Sequence, residues 1–375
     1  MYSSALNNAS SLQFTPVSFV YLLLLALNYA VMPRLSKRYI HPQVTKRSVA
    51  LAEEVVKMSI GIGGWIITNW ETVCNSNHDQ SCLVDYGMSS TTAIKLTYNT
   101  LSNQLSQWSP QSTLIAAGIP SLLYAIQGTL TYHAYQHLDS VTCNGLMQFK
   151  VLTSALGCYI VMGKTLSGMQ LATLVRLMIS TVVFQGSWKE LLGMVWSTRQ
   201  PKDKSCHTNN RSASNHFWLG VLPCLGATFL SGLAGAFSQK SLQMAVGSMM
   251  HRDAYFYTVE ISFLSAVCLA VSICFQSWKE RLSNKKQIET DRSFFNHWDY
   301  KTLLPIITKA TAGVLTALVH CHLGSVIKGF ALVLGLVFSA LLQFALDGKD
   351  LTIEQNIGTA LVLLSSWLHF TSPVR

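Results

Sequence analysis

Two lysines stand inside apolar segments, where a charge is costly: Lys150 in the run 139–162, and Lys328 in Ser325-Val326-Ile327-Lys328-Gly329-Phe330 at the start of the run 324–346. An ionisable group in a hydrocarbon span faces a cavity or a counter-charge as a rule. Lys150 lies about 16 Å along its run at helical rise, too deep to reach either interface easily. Asn144, Gln148 and Thr153 add polar atoms on nearby faces. Lys328 is nearer an end and could extend its amine to the interface, while Gly329 beside it would let a backbone or a ligand approach closely. Two cations converging on a dry cavity suit an anionic ligand, phosphate above all.

Other residues offer less. Glu54 and Lys57 are three apart on one helical face and can neutralise each other or serve a cavity. Tyr124 and Gln127 are a helical turn apart and could stack on and hydrogen-bond a base or sugar, or simply join helices. Arg176, Glu260 and Lys309 are further charges within apolar runs, with no partner evident from the sequence. Cys74, His78 and Cys82, with Asp79 or Asp85, match no standard zinc spacing, and a Cys74–Cys82 disulfide would need an oxidising lumen. No phosphate-cradling loop and no nucleophile beside a base is evident in the sequence. An enzyme and an ATP-driven pump are disfavoured.

What must position the two lysines is a repeated frame. Gly163-Lys164-Thr165-Leu166-Ser167-Gly168-Met169-Gln170 recurs as Gly348-Lys349-Asp350-Leu351-Thr352-Ile353-Glu354-Gln355, each copy between two long apolar segments. Ser167 and Thr352 stand three places before a glutamine, the spacing of a reciprocal helix cap. Each copy therefore predicts a Gly-Lys turn followed by a capped helix. Apolar runs at 15–32, 48–70, 111–133, 139–162, 168–186, 217–238, 255–277, 301–322, 324–346 and 353–372 give about ten membrane-spanning helices. The runs are continuous rather than alternating, which favours helices over a barrel.

The expected fold is thus an all-α polytopic membrane protein in two inverted five-helix repeats, residues 15–200 and 201–372, with tails at 1–14 and 373–375. An odd number of crossings per half sends the second copy through the membrane in the opposite sense, the plan of secondary transporters with a site between the halves. Under that plan the runs bearing Lys150 and Lys328 are counterparts. Ser231-Gly232-Leu233-Ala234-Gly235-Ala236-Phe237 presents small residues for close helix packing.

Composition agrees: half of the 375 residues are hydrophobic and 12% charged, against about a quarter charged in soluble domains. The net charge of +10 resides mainly in short loops, where it orients helices rather than binding nucleic acid. Loops 33–47, 187–216 and 278–301 hold most of it, which would place both termini away from the cytosol. The sequons at Asn8 and Asn210 fall on opposite sides of a ten-span chain. Most of the nine cysteines lie inside spans, as small buried hydrophobes. A homo-oligomer is compatible with all of this.

Pro120-Ser121-Leu122-Leu123-Tyr124-Ala125-Ile126-Gln127, Leu138-Asp139 and Gln148-Phe149-Lys150-Val151, followed by Gln239-Lys240 and Ile327-Lys328-Gly329-Phe330, resemble the nucleotide-sugar transporters of solute carrier family 35. The likeness is to the branch carrying CMP-sialic acid and UDP-sugars, and Glu54-Val55-Val56-Lys57 shares it. It covers roughly residues 48–372. It implies a ten-helix drug/metabolite-transporter fold in the Golgi or endoplasmic reticulum membrane, exchanging a cytosolic nucleotide-sugar for a lumenal nucleoside monophosphate. It also implies cytosolic termini, phosphate contacts from Lys150 and Lys328, and neither a metal nor a redox cofactor. Departures cluster where base and sugar contacts are expected: Gly128-Thr129, Cys143-Asn144, Met147, Gln239 and Gly324-Ser325. A carrier of another small solute, or a non-transporting scaffold of the same fold, is compatible with these departures.

Overall fold

An apolar run in lipid has no water to bond its backbone, so it must satisfy its N–H and C=O groups internally, and the regular elements of the computed structural model are all helices among its described residues. It describes residues 16–41, 43–80, 98–103, 105–106, 108–138, 140–188, 217–244, 252–282, 297–348 and 350–371. The helices are α1 (Pro16–Tyr39), α2 (Lys46–Gln80), α3 (Pro110–His137), α4 (Ser140–Met147), α5 (Lys150–Met162) and α6 (Gly168–Phe184), then α7 (Leu222–Gln243), α8 (Ala254–Leu282), α9 (Leu303–His322), α10 (Ser325–Asp347) and α11 (Ile353–Thr371). Each of the ten apolar runs lies largely within these helices. Seven spans among the described residues are long and apolar enough to cross a membrane, namely α1, α3, α4 with α5, α7, α8, α9 and α10. Phe263, Val267, Val271 and Phe275 of α8 are exposed at helical spacing, a face suited to lipid. The chain is an all-α polytopic membrane protein. The side chains of Cys74 and His78, and Cys82, Asp85, Lys349 and both sequons, lie outside the described residues.

The described residues of both copies of the repeated octapeptide share a left-handed glycine and a reciprocal cap. Gly163 and Gly348 end α5 and α10 in the left-handed conformation, at φ 66° and 61°, which an L side chain adopts at a cost. Ser167 Oγ then accepts from Gln170 N (3.3 Å) while Ser167 N donates to Gln170 Oε1 (3.2 Å). Thr352 Oγ1 accepts from Gln355 N (3.2 Å), and Thr352 N donates to Gln355 Oε1 (3.0 Å).

The helices so launched, α6 and α11, pack antiparallel: Thr173 Oγ1 is 2.9 Å from His369 Nδ1, Ser180 Oγ 3.5 Å from Ser365 Oγ, and Gly358 lies directly against Phe184. They belong to one of two compact units, residues 1–34, 122–240 and 319–375. Its core joins Val151 and Ala155 of α5, Leu174 and Leu177 of α6, Phe330 of α10 and Val362 of α11. The small residues of α7 pack as expected, with Gly232 against the Thr153–Ser154 backbone and Gly157 against the Gly232 carbonyl. Arg34 pairs with Asp347 at the ends of α1 and α10.

The other unit comprises residues 35–121 and 241–318. In it α2 and α8 run antiparallel, Gly61 meeting Val259 and Gly64 meeting the Tyr255 ring. Asp253 Oδ1 caps α8 by accepting from Tyr255 N (2.7 Å) and Phe256 N (3.0 Å). Glu260, 5% exposed, finds its partners here: Arg252 Nη1 at 2.8 Å, Thr113 Oγ1 at 2.6 Å and Trp108 Nε1 at 3.1 Å. Arg252 Nη2 donates in turn to Ser112 Oγ (2.7 Å). The charge is held by hydrogen bonds as well as by its counter-ion, which burial of an ion pair demands.

Candidate functional site

A cavity of about 300 Å³ lies within the first unit and holds both lysines. Its wall is built from Asn144, Met147 and Gln148, from Lys150, Val151 and Ser154 of α5, from Ser231 and Gly235 of α7, and from His320 at the end of α9. Gln185 after α6, and Ser325, Lys328, Gly329, Leu332 and Leu336 of α10, complete it.

Lys150 reaches the cavity because the helix is interrupted just before it. Gln148 N bonds to Gly145 O (3.2 Å) and Phe149 N to Leu146 O (3.1 Å), bonds one residue shorter than those of an α-helix. The Gln148 side chain folds back to donate to Asn144 O (3.2 Å), taking the place of its own amide N–H. Lys150 is thereby the first residue of α5 rather than a mid-helix residue, as the apolar run alone predicts. Thr153 Oγ1 donates to Thr228 O (2.8 Å) and ties α5 to α7 one turn further on.

Lys328 stands one turn into α10, whose start is fixed from outside the helix. Gly324, at φ 92°, cannot supply a cap; Gln239 Oε1 accepts from Ser325 N at 2.8 Å instead. The Cys158 thiol of α5 also donates to Gln239 Oε1 (3.3 Å) and lies 3.1 Å from Ser325 Oγ. One carboxamide oxygen thus links the helices that carry the two lysines. Those helices are antiparallel, since Cys158 meets Ser325 while Val151 meets Gly329. Gly329 is not forced by packing, because an added Cβ there would sit 3.5 Å from Val151, an ordinary contact.

Both lysines line this one cavity. Neither has an ion-pair or hydrogen-bond partner among the described residues. A paired basic site with no acidic side chain in its lining is chemically an anion site. From Ser325 to Leu336 the cavity follows α10 for about 16 Å at helical rise, so an elongated ligand can reach beyond the lysines in both directions.

Of the residues singled out in the sequence, Lys150, Lys328, Asn144 and Gln148 meet in this cavity. Asn144 Oδ1 there accepts from Tyr135 OH (2.9 Å). Tyr124 and Gln127 lie outside the lining, and Gln127 Nε2 is turned to Thr131 Oγ1 at 3.3 Å. Lys57 belongs to the other unit, where its amine is 2.9 Å from Glu54 and 3.7 Å from Glu53. Sequence reasoning missed Gln185 and His320, and read Ser231 and Gly235 only as packing residues. Nothing local marks them, because their place depends on which helices adjoin.

A family model described as nucleotide-sugar transporter matches residues 80–370. The chain belongs to the nucleotide-sugar transporter family. This membrane transporter is 30% identical over 361 residues to the UDP-N-acetylglucosamine transporter ROCK1 of Arabidopsis thaliana, covering 96% of this chain and 93% of the relative. The human UDP-N-acetylglucosamine transporter is 26% identical over 265 residues, 70% of this chain and 73% of the relative. A solved crystal structure superposes with a TM-score of 0.55 at 11% identity, covering 94% of the transporter and 96% of the matched chain, which shows a shared fold.

Proposed function

We propose that this transporter exchanges a cytosolic nucleotide-sugar for a lumenal nucleoside monophosphate across the Golgi or endoplasmic reticulum membrane, by alternating access. The observation that carries the proposal is the pair Lys150 and Lys328, two cations in one cavity with no acidic residue in its lining. A diphosphate neutralises both. Without it, their mutual repulsion disfavours the closed empty carrier and makes exchange faster than one-way movement. Asn144 and Gln148 contribute neutral contacts. UDP-N-acetylglucosamine is the first substrate to test, because the relatives named above carry that name.

Ten membrane helices in two inverted repeats, residues 15–200 and 201–372, form the working architecture. Three antiparallel pairs support it: α2 with α8, α5 with α10 and α6 with α11. Each joins runs five apart in the order of apolar runs, and counterparts in an inverted repeat must run in opposite directions. The matching turns and caps at Gly163–Gln170 and Gly348–Gln355 support it independently.

Purified protein, its thermal unfolding followed with UMP, CMP, GMP, AMP and their sugar conjugates, tests the reading. A base-selective stabilisation that disappears in Lys150→Ala is expected. A folded protein stabilised by none of them would turn the assignment toward a carrier of another solute or a scaffold.

A further inference from the structure

Gln185 has a position that neither helix packing nor the phosphate site explains. It follows α6 directly, and its backbone N–H bonds to Thr181 O at 3.1 Å, closing the helix. Gly186, at φ 70°, then turns the chain away. The backbone of Gln185 is therefore held on both sides, and its side chain leaves from a fixed point into the wall of the lysine cavity. There its Oε1 is buried and accepts no hydrogen bond from any described residue. In the wall of the same cavity the Ser231 hydroxyl, on a residue 4% exposed, is likewise buried without a partner among the described residues. A buried carbonyl oxygen without a donor costs free energy, and that cost is recovered when a ligand brings the donor.

We propose that Gln185 is a specificity-determining residue of the transporter, its Oε1 accepting a hydrogen bond from an amide-type N–H of the bound nucleotide-sugar. The inference rests on the reading of the cavity as a nucleotide-sugar site and adds to it the feature that is read. The lysines hold phosphate, common to every nucleotide-sugar, and so cannot distinguish one from another. A carboxamide can, since a neutral acceptor loses its bond when the ligand lacks the matching donor. Two parts of a uridine diphosphate N-acetylhexosamine carry such an N–H: the imide of uracil and the 2-acetamido group of the sugar. Cytosine has no N–H at the imide position, and glucose has no acetamido group.

The test measures affinities of UMP, CMP, UDP-N-acetylglucosamine and UDP-glucose for the wild-type protein and for Gln185→Leu, with Gln185→Met as a second variant of similar bulk. Unliganded thermal unfolding of each variant checks that it is folded. A UMP-to-CMP preference that falls about two- to tenfold, with the sugar preference kept, supports the proposal with uracil as the donor. The same fall confined to UDP-N-acetylglucosamine against UDP-glucose supports it with the acetamido group as the donor. Both preferences unchanged, whether all four affinities drop together or none does, overturns the proposal and leaves the transport reading intact. A folded wild-type protein that binds none of the four overturns both.

Discussion

Gly232→Ala is the sharpest probe of how α7 sets the place of Lys150. A Cβ at Gly232 would lie 2.5 Å from Thr153 O and 2.7 Å from Ser154 N, both backbone atoms of α5. Ordinary contact begins at about 3.5 Å, so the helices must part by about 1 Å, and no side chain can turn aside to make room. Overpacking of this kind costs up to about 3 kcal/mol, and the better helix propensity of alanine returns about 1 kcal/mol. The net loss of about 2 kcal/mol is about a 30-fold shift in the folding equilibrium. Because Thr153 and Ser154 follow Lys150 by one turn, nucleotide affinity falls as well. Gly226→Ala on the same helix is the control, its added Cβ meeting only Leu130 Cδ1 at 3.6 Å. Thermal unfolding and UMP binding of the two purified variants decide the matter. If Gly232→Ala unfolds and binds like Gly226→Ala, the close α5–α7 approach does not position the site.

Ser167→Ala and Thr352→Ala each remove one half of a reciprocal cap and cost about 1 kcal/mol, read as equal drops in thermal stability. Unequal drops would mean that the two copies are not structurally equivalent. Arg252→Met leaves the Glu260 carboxylate buried without its counter-ion and costs about 3–5 kcal/mol, whereas Arg252→Met with Glu260→Leu recovers most of that loss. The comparison is made by thermal unfolding, and a double variant no better than the single one would refute the pairing.

The features legible in the sequence were those set by spacing within a segment or by the repeat. The caps at Ser167 and Thr352 depend on a residue three places on, and both formed with the anticipated partners. The meeting of Lys150 with Lys328 followed from treating their runs as counterparts. The interruption at Gln148-Phe149 was not legible, because it contains neither glycine nor proline and arises from a glutamine side chain bonding its own helix. Glu260 could not be matched to Arg252 because the loop before α8 breaks helical register. Tyr124 and Gln127 share a helical face as expected but do not line the cavity, whose wall is completed by Gln185, Ser231 and His320 from elements distant in the chain.

Uptake of labelled UDP-N-acetylglucosamine into proteoliposomes, preloaded with UMP or empty, tests the central claim for the wild-type protein, Lys150→Ala and Lys328→Ala. The account predicts fast uptake into preloaded vesicles, slow uptake into empty ones, and loss of the fast exchange in both variants. Normal exchange by either variant, correctly folded and inserted, would contradict the assignment of the two lysines to substrate phosphate.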